Sequence, residues 1–111
     1  RVTEENAEVR FLQPNHSVLN YPNKITNKDF TGWIQEQGLY YPDSWAKEFV
    51  PIISANDTNE KPKDSAILIA NYGKGVYIYT GLSFFRELPS GVSGAYRLMA
   101  NLIAAKQNQN D

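Results

Sequence analysis

Ala66-Ile67-Leu68-Ile69-Ala70 is followed by Asn71-Tyr72-Gly73-Lys74-Gly75 and then by Val76-Tyr77-Ile78-Tyr79-Thr80. The first five residues are an uninterrupted apolar run of strand length, which predicts a strand covered on both faces. The last five are β-branched and aromatic, with strand alternation. Between them lie two glycines able to take positive φ, so the whole stretch predicts an antiparallel hairpin pairing 66–70 with 76–80. Gly75→Val is expected to cost about 1 kcal/mol or more if φ at that position is positive.

Towards the C-terminus, Gly81 to Gly91 reads as a loop containing Phe84, Phe85 and Pro89, and Val92 to Lys106 shows helical spacing. Val92, Tyr96, Met99 and Ile103 fall on one stripe, widened by Ala95, Leu98 and Leu102. Towards the N-terminus, 56–64 reads as an exposed loop. Phe49 to Ala55 is a strand candidate that Pro51 demotes to an edge or a bulge. Pro42-Asp43-Ser44 signals a turn, Ile34 to Tyr41 a strand interrupted by Gly38, and Thr26 to Asp29 a short helical turn leading to Trp33. Val9 to Leu12 is a short strand stopped by Pro14; residues 1–8 are an acidic lead-in and 107–111 a polar tail. Strands, a hairpin and one amphipathic helix define the class as α+β, or the C-terminal part of a three-layer α/β domain. One domain spans 9–106: a small, mostly antiparallel sheet and a C-terminal amphipathic helix.

The composition suits a packed core: 111 residues, 41% hydrophobic and 21% charged. Eleven basic and twelve acidic side chains give a net charge of −1, which argues against a nucleic-acid binder. The charge is split: residues 1–60 carry 5 basic and 9 acidic groups, residues 61–111 carry 6 and 3. That pattern is ordinary surface variation, or a second half that faces an acidic surface. With no cysteine there is no disulfide framework, thiolate zinc site or cysteine nucleophile, and the single histidine, His16, excludes a multi-histidine metal centre. No apolar run approaches the roughly 20 residues of a membrane span. The start at Arg1, without methionine or signal peptide, is read as an excised or processed fragment.

Several groups invite a chemical reading. His16 titrates near neutrality but lacks a nucleophile elbow, so it reads as a loop histidine and only a weak polar candidate. Asp29 with Glu36, or Asp43 with Glu48, are carboxylate pairs of the kind glycosidases hold across a sugar, though surface solvation is the plainer reading. Gly73-Lys74-Gly75 resembles part of a phosphate loop but lacks its spacing and following helix. Asn15-His16-Ser17 and Asn56-Asp57-Thr58 match a short glycosylation pattern. Trp33, Tyr40, Tyr41, Trp45 and Phe49 are the densest aromatic group, suited to stacking on sugars, to a core, or to docking on a neighbouring domain. Phe84, Phe85 and Arg86 join them as candidates for ligand binding or domain docking.

Taken in order, Asn15 to Asn20, Pro22 to Thr26, Asp29 to Tyr40, Tyr72 to Arg86 and Pro89 to Asn101 resemble a known region. It is the C-terminal part of long PIG-L (LmbE-like) deacetylases of the Bacteroidetes type, where a class I glutamine amidotransferase-like module follows the catalytic domain. The resemblance covers about residues 9–104. It implies a partner in the catalytic domain of a parent chain, a carbohydrate context and an extracytoplasmic location. The family's chemistry does not carry over. The His-Pro-Asp-Asp zinc motif is missing, the amidotransferase cysteine is missing, and Ser17 follows His16 where the related motif has proline. The N-terminal strands of that fold are also missing.

Two functional expectations follow. One is a non-catalytic accessory module without cofactor, docking on the catalytic domain of a carbohydrate deacetylase. The other is an autonomous carbohydrate-binding module, which requires Trp33, Tyr40 and Trp45 to lie coplanar and exposed. Because one helix covers only one face of a sheet, an uncovered patch is expected among Phe11, Trp33, Tyr40, Trp45, Phe84 and Phe85. The alternatives are a homodimer that hides it, or segment 33–49 folding over the second face.

Overall fold

The computed structural model describes residues 7–33, 38 and 41–106. Four strands pair antiparallel in sequence order: β1 (Glu8–Phe11), β2 (Val50–Asn56), β3 (Lys63–Tyr72) and β4 (Gly75–Thr80). They are followed by a single-turn helix α1 (Phe84–Glu87) and by α2 (Ser93–Ile103). Two 3₁₀ turns, Ser17–Leu19 and Asn27–Phe30, lie in the connection between β1 and β2. The class is α+β, as the sequence predicts.

The expected antiparallel hairpin forms, and its register sets Ile67 opposite Thr80, Ile69 opposite Ile78 and Tyr72 opposite Gly75. β3 is longer than its apolar run. Lys63 to Ser65 join it because Lys63 pairs with Ala55, an interaction that local polarity does not announce. The two-residue turn is Gly73-Lys74. Gly73 has φ +56° and Lys74 is not left-handed, the φ pattern of a type II′ hairpin. Gly75, paired with Tyr72, also lies outside the left-handed region. The expectation placed on Gly75 therefore moves to Gly73. Gly73→Val should lower stability by about 1–2 kcal/mol and Gly75→Val by much less, compared in thermal melts.

Pro51 sits at a register shift between β2 and β3, beyond the stretch of β2 that pairs with β1. Its missing N–H thus falls at a bulge, and β2 is an inner strand, not an edge.

All of Ala66 to Ala70 is buried, so both faces of β3 are covered. On one face Ile67 and Ile69 join Val92, Ala95, Leu98 and Leu102 of the helical side in one cluster. Each large apolar side chain buried there contributes roughly 1.5–3 kcal/mol. On the opposite face Leu68 and Ala70 stand across from Tyr79 and Tyr77. Part of segment 41–49 folds over that face: Phe49 packs edge-on against Tyr77 with ring centres 5.8 Å apart.

Helix α2 turns inward most of the expected stripe, with Val92, Ala95, Leu98 and Leu102 buried and Met99 packed against the core. Gly94 and Asn101 join this face, while Tyr96 lies outside it and Ile103 is 79% exposed. Tyr96 lies on the surface, its hydroxyl donating to the Leu88 carbonyl at 2.6 Å. The helix rests mainly on the two 3₁₀ turns and on α1. The Asp29 backbone comes close enough to demand glycine at 94, and the carbonyls of Val18 and Asn23 call for the amide of Asn101. Hydrophobic periodicity weighs neither requirement. Where a loop is expected at 81–91, Phe84 to Glu87 close one helical turn, placing Phe84 inside and Phe85 outside.

Candidate functional site

The structure separates the aromatic candidates. Trp33 and Phe84 are core residues, in a chain of rings that runs Phe11–Phe30–Trp33–Phe84 with centroids 6.4, 5.4 and 5.9 Å apart. The Trp33 indole N–H donates to the Asp29 carbonyl at 2.8 Å. The geometry of a flat, exposed platform built on Trp33 is therefore not present. Trp45, 37% exposed, and Phe85, 62% exposed, stay at the surface. Phe11 is half-buried. Tyr40 and Glu36, the first half of the Ile34–Tyr41 strand candidate with them, lie outside the described residues, as does the Arg86 side chain. Gly38 bridges Leu82.

Tyr41 is buried, and among the described residues its hydroxyl finds no hydrogen-bond partner. Burial pushes the phenol well above its ordinary value, and negative charge at Asp57 and then Tyr79 adds to the effect. The sign follows from linkage. The folded state keeps the proton that the unfolded chain loses near pH 10, so stability is intact below about pH 10 and falls as pH rises further, by up to about 1.4 kcal/mol per pH unit. Tyr41→Phe is expected to be neutral or up to about 1 kcal/mol stabilising at pH 7, since it deletes an unsatisfied buried hydroxyl. It should also flatten the loss between about pH 10 and 11, read as urea midpoints across that range.

His16 caps the first 3₁₀ turn: its Nδ1 accepts the Val18 N–H at 3.2 Å. It also lines a small notch of about 60 Å³ with Glu48, Asn71 and Lys106. Asp43 and Glu48 are both exposed. Lys74 lies in the exposed hairpin turn, and β4 follows it. Asn56 Oδ1 accepts from Arg10 at 3.3 Å and its Nδ2 donates to the Asp57 carbonyl at 2.9 Å, which occupies that glycosylation pattern internally.

The densest polar constellation is one the sequence reading did not assemble. Asp29 accepts the Thr26 N–H at 2.9 Å, closing a capping box on the second 3₁₀ turn, and accepts Arg97 Nε at 2.7 Å. Arg97 also reaches the Lys24 carbonyl, and the buried Asn101 ties down Val18 and Asn23. Arg97 thus brings a charge of the basic half onto an acid of the acidic half. Thr-x-x-Asp was legible as a cap; its partners on α2, about seventy residues away, were not. A second unread group is the fully buried Glu87, whose Oε2 lies 3.2 Å from the Ser83 hydroxyl.

A cleft of about 490 Å³ opens between β1 and the second 3₁₀ turn, walled by Ala7 to Val9, Asn27 and the Phe30–Trp33 stretch. Its size is that of a small-ligand site. Its described lining is mixed, apolar at Val9 and Phe30 and polar at Asn27 and Thr31, with one carboxylate, Glu8, and no acid–base pair. Among the described residues no group of three or more His, Asp or Glu side chains is placed to hold a metal ion, and no helix is long and apolar enough to cross a membrane.

The fold and these sites define a small α+β domain with an antiparallel four-stranded sheet, its helix laid across two 3₁₀ turns. No protein-family model, no curated protein and no solved structure matches the chain.

Proposed function

We propose that this chain is a non-catalytic interaction module. The observation that carries the reading is the division of its aromatic side chains. Trp33, Phe84 and Tyr41 are buried, while Tyr72, Tyr77 and Phe85 stand more than half exposed on the outside. Large exposed apolar groups suit a surface that meets another protein. The resemblance to PIG-L-type deacetylases supplies the proposed partner, a zinc-dependent catalytic domain on the same polypeptide that acts on carbohydrate, in an extracytoplasmic setting. A second reading, carbohydrate binding, rests on Trp45, Phe85 and the cleft beside β1.

Titration of the isotope-labelled chain with chito-oligosaccharides separates the two. For an interaction module, resonances near Trp45, Phe85 and the cleft stay in place up to millimolar sugar. The chain then releases no acetate from N-acetylglucosamine substrates and retains no stoichiometric zinc, while the catalytic domain, added separately, binds saturably. Saturable shifts with sugar establish the second reading, and zinc-dependent acetate release overturns both.

A further inference from the structure

The sheet has two outer strands, and they differ in chemistry. β1 carries Glu8 and Arg10, which face each other at 3.3 Å, and charge on an outer strand discourages pairing with another chain. β4 reads Gly75-Val76-Tyr77-Ile78-Tyr79-Thr80, with no charge and no proline, and its register with β3 runs without a bulge over 67–72 and 75–80.

The hydrogen-bond phase of this edge is fixed by the Gly81 N–H, which donates to the Ala66 carbonyl at 3.0 Å. Alternation along an antiparallel ladder then makes 68 with 79, 70 with 77 and 72 with 75 the hydrogen-bonded pairs. The N–H and C=O groups of Val76, Ile78 and Thr80 consequently point away from β3. Among the described residues no backbone partner meets them. The turn lies at one end of this stretch, and the Leu82–Gly38 bridge lies at the other.

We propose that β4 pairs antiparallel with β4 of a second copy of this chain, about a two-fold axis at Ile78, joining two four-stranded sheets into one. In this register Ile78 lies opposite its own copy, and Val76 lies opposite Thr80 of the other chain. Every outward N–H and C=O of the three residues then finds a partner. The pairs between them set Tyr77 against Tyr79 at the closer, non-hydrogen-bonded spacing, where aromatic side chains interact best. The opposite face meets through β-branched residues alone. The edge is its own complement: with no charge in β4, a two-fold pairing brings no like charges together, which is why a second copy is the occupant. The proposal stands on the register of β4 and is independent of the accessory-module reading.

Amide exchange at increasing protein concentration tests it without altering the chain. Between about 10 μM and about 1 mM, a range that spans weak self-association, exchange at Val76, Ile78 and Thr80 should slow by about tenfold or more, while Tyr77 and Tyr79, already bonded to β3, change little. Sedimentation over the same range should show a dimer. Ile78→Pro, and Val76→Pro in case the first does not fold, each delete an N–H that β3 does not use, and the folded variant should be monomeric. A monomer throughout overturns the proposal. So does a dimer in which these three amides exchange as fast as at low concentration, or one that survives both proline substitutions.

Discussion

Replacing Gly94 by alanine is expected to destabilise the protein by about 3 kcal/mol, which for a domain of this size lowers the melting temperature by more than about 10 °C. Gly94 lies in the first turn of α2, where the second 3₁₀ turn crosses it. A methyl group on its Cα would fall on the carbonyl group and Cα of Asp29. These are backbone atoms, so no rotamer change relieves the overlap. Moving them also disturbs what Asp29 holds: the Trp33 indole on its carbonyl, the Thr26 N–H and Arg97 on its carboxylate. Alanine favours a helix over glycine by roughly 1 kcal/mol, and that gain is the smaller term. Denaturant midpoints of the two proteins measure the difference. A Gly94→Ala protein as stable as the parent would mean that α2 does not touch the Asp29 backbone.

Asn101→Ala should cost about as much, for a different reason. Asn101 is fully buried, donating to the carbonyls of Val18 at 2.8 Å and Asn23 at 2.7 Å and accepting the Asn23 N–H at 2.9 Å. One side chain thus satisfies three backbone groups of the β1–β2 connection, and each group left bare costs about 1–3 kcal/mol. Water entering from the adjoining 180 Å³ hollow beside Ser17 and Ala104 offsets part of this, leaving a net loss of about 3 kcal/mol. Asn101→Leu keeps the volume but leaves the same groups bare, so it should not recover the loss. If the leucine variant melts like the parent, the amide contributes shape alone. The same experiment reports on the loop, since amide exchange at Asn23 should accelerate selectively in both variants.

Both positions show where the sequence was readable and where it was not. The hairpin from Ala66 to Thr80 was legible because its causes are local: β-branched and aromatic alternation, an apolar run, and a glycine turn between them. Even there, only the turn's backbone distinguished Gly73 from Gly75. The C-terminal helix was legible as an element, and so were Val92, Ala95, Leu98 and Leu102 of its inward face, but not the limits of that face. Counting Tyr96 and Ile103 as core residues follows hydrophobicity. The real face also takes in Gly94, for close approach of the Asp29 backbone, and Asn101, for polar satisfaction of backbone groups about eighty positions away. The aromatic group behaved in the same way. Trp33, Tyr41 and Trp45 are neighbours in sequence yet lie, respectively, in the ring chain, in the interior beside Asp57 and Tyr79, and at the surface.

By itself, then, the sequence determined the α+β class, the hairpin, the short helical turn at Thr26 to Asp29, and the existence of the final helix. Each rests on interactions within a few residues, whose periodicity the chain displays openly. Tertiary structure alone decided that β2 is an inner strand, that part of segment 41–49 covers the second face, that Asp29, Arg97 and Asn101 converge, and that no backbone group among the described residues meets the outward groups of β4. Those outcomes depend on which distant backbone comes within reach of which side chain. Close packing enforces that constraint between segments, and no single segment encodes it.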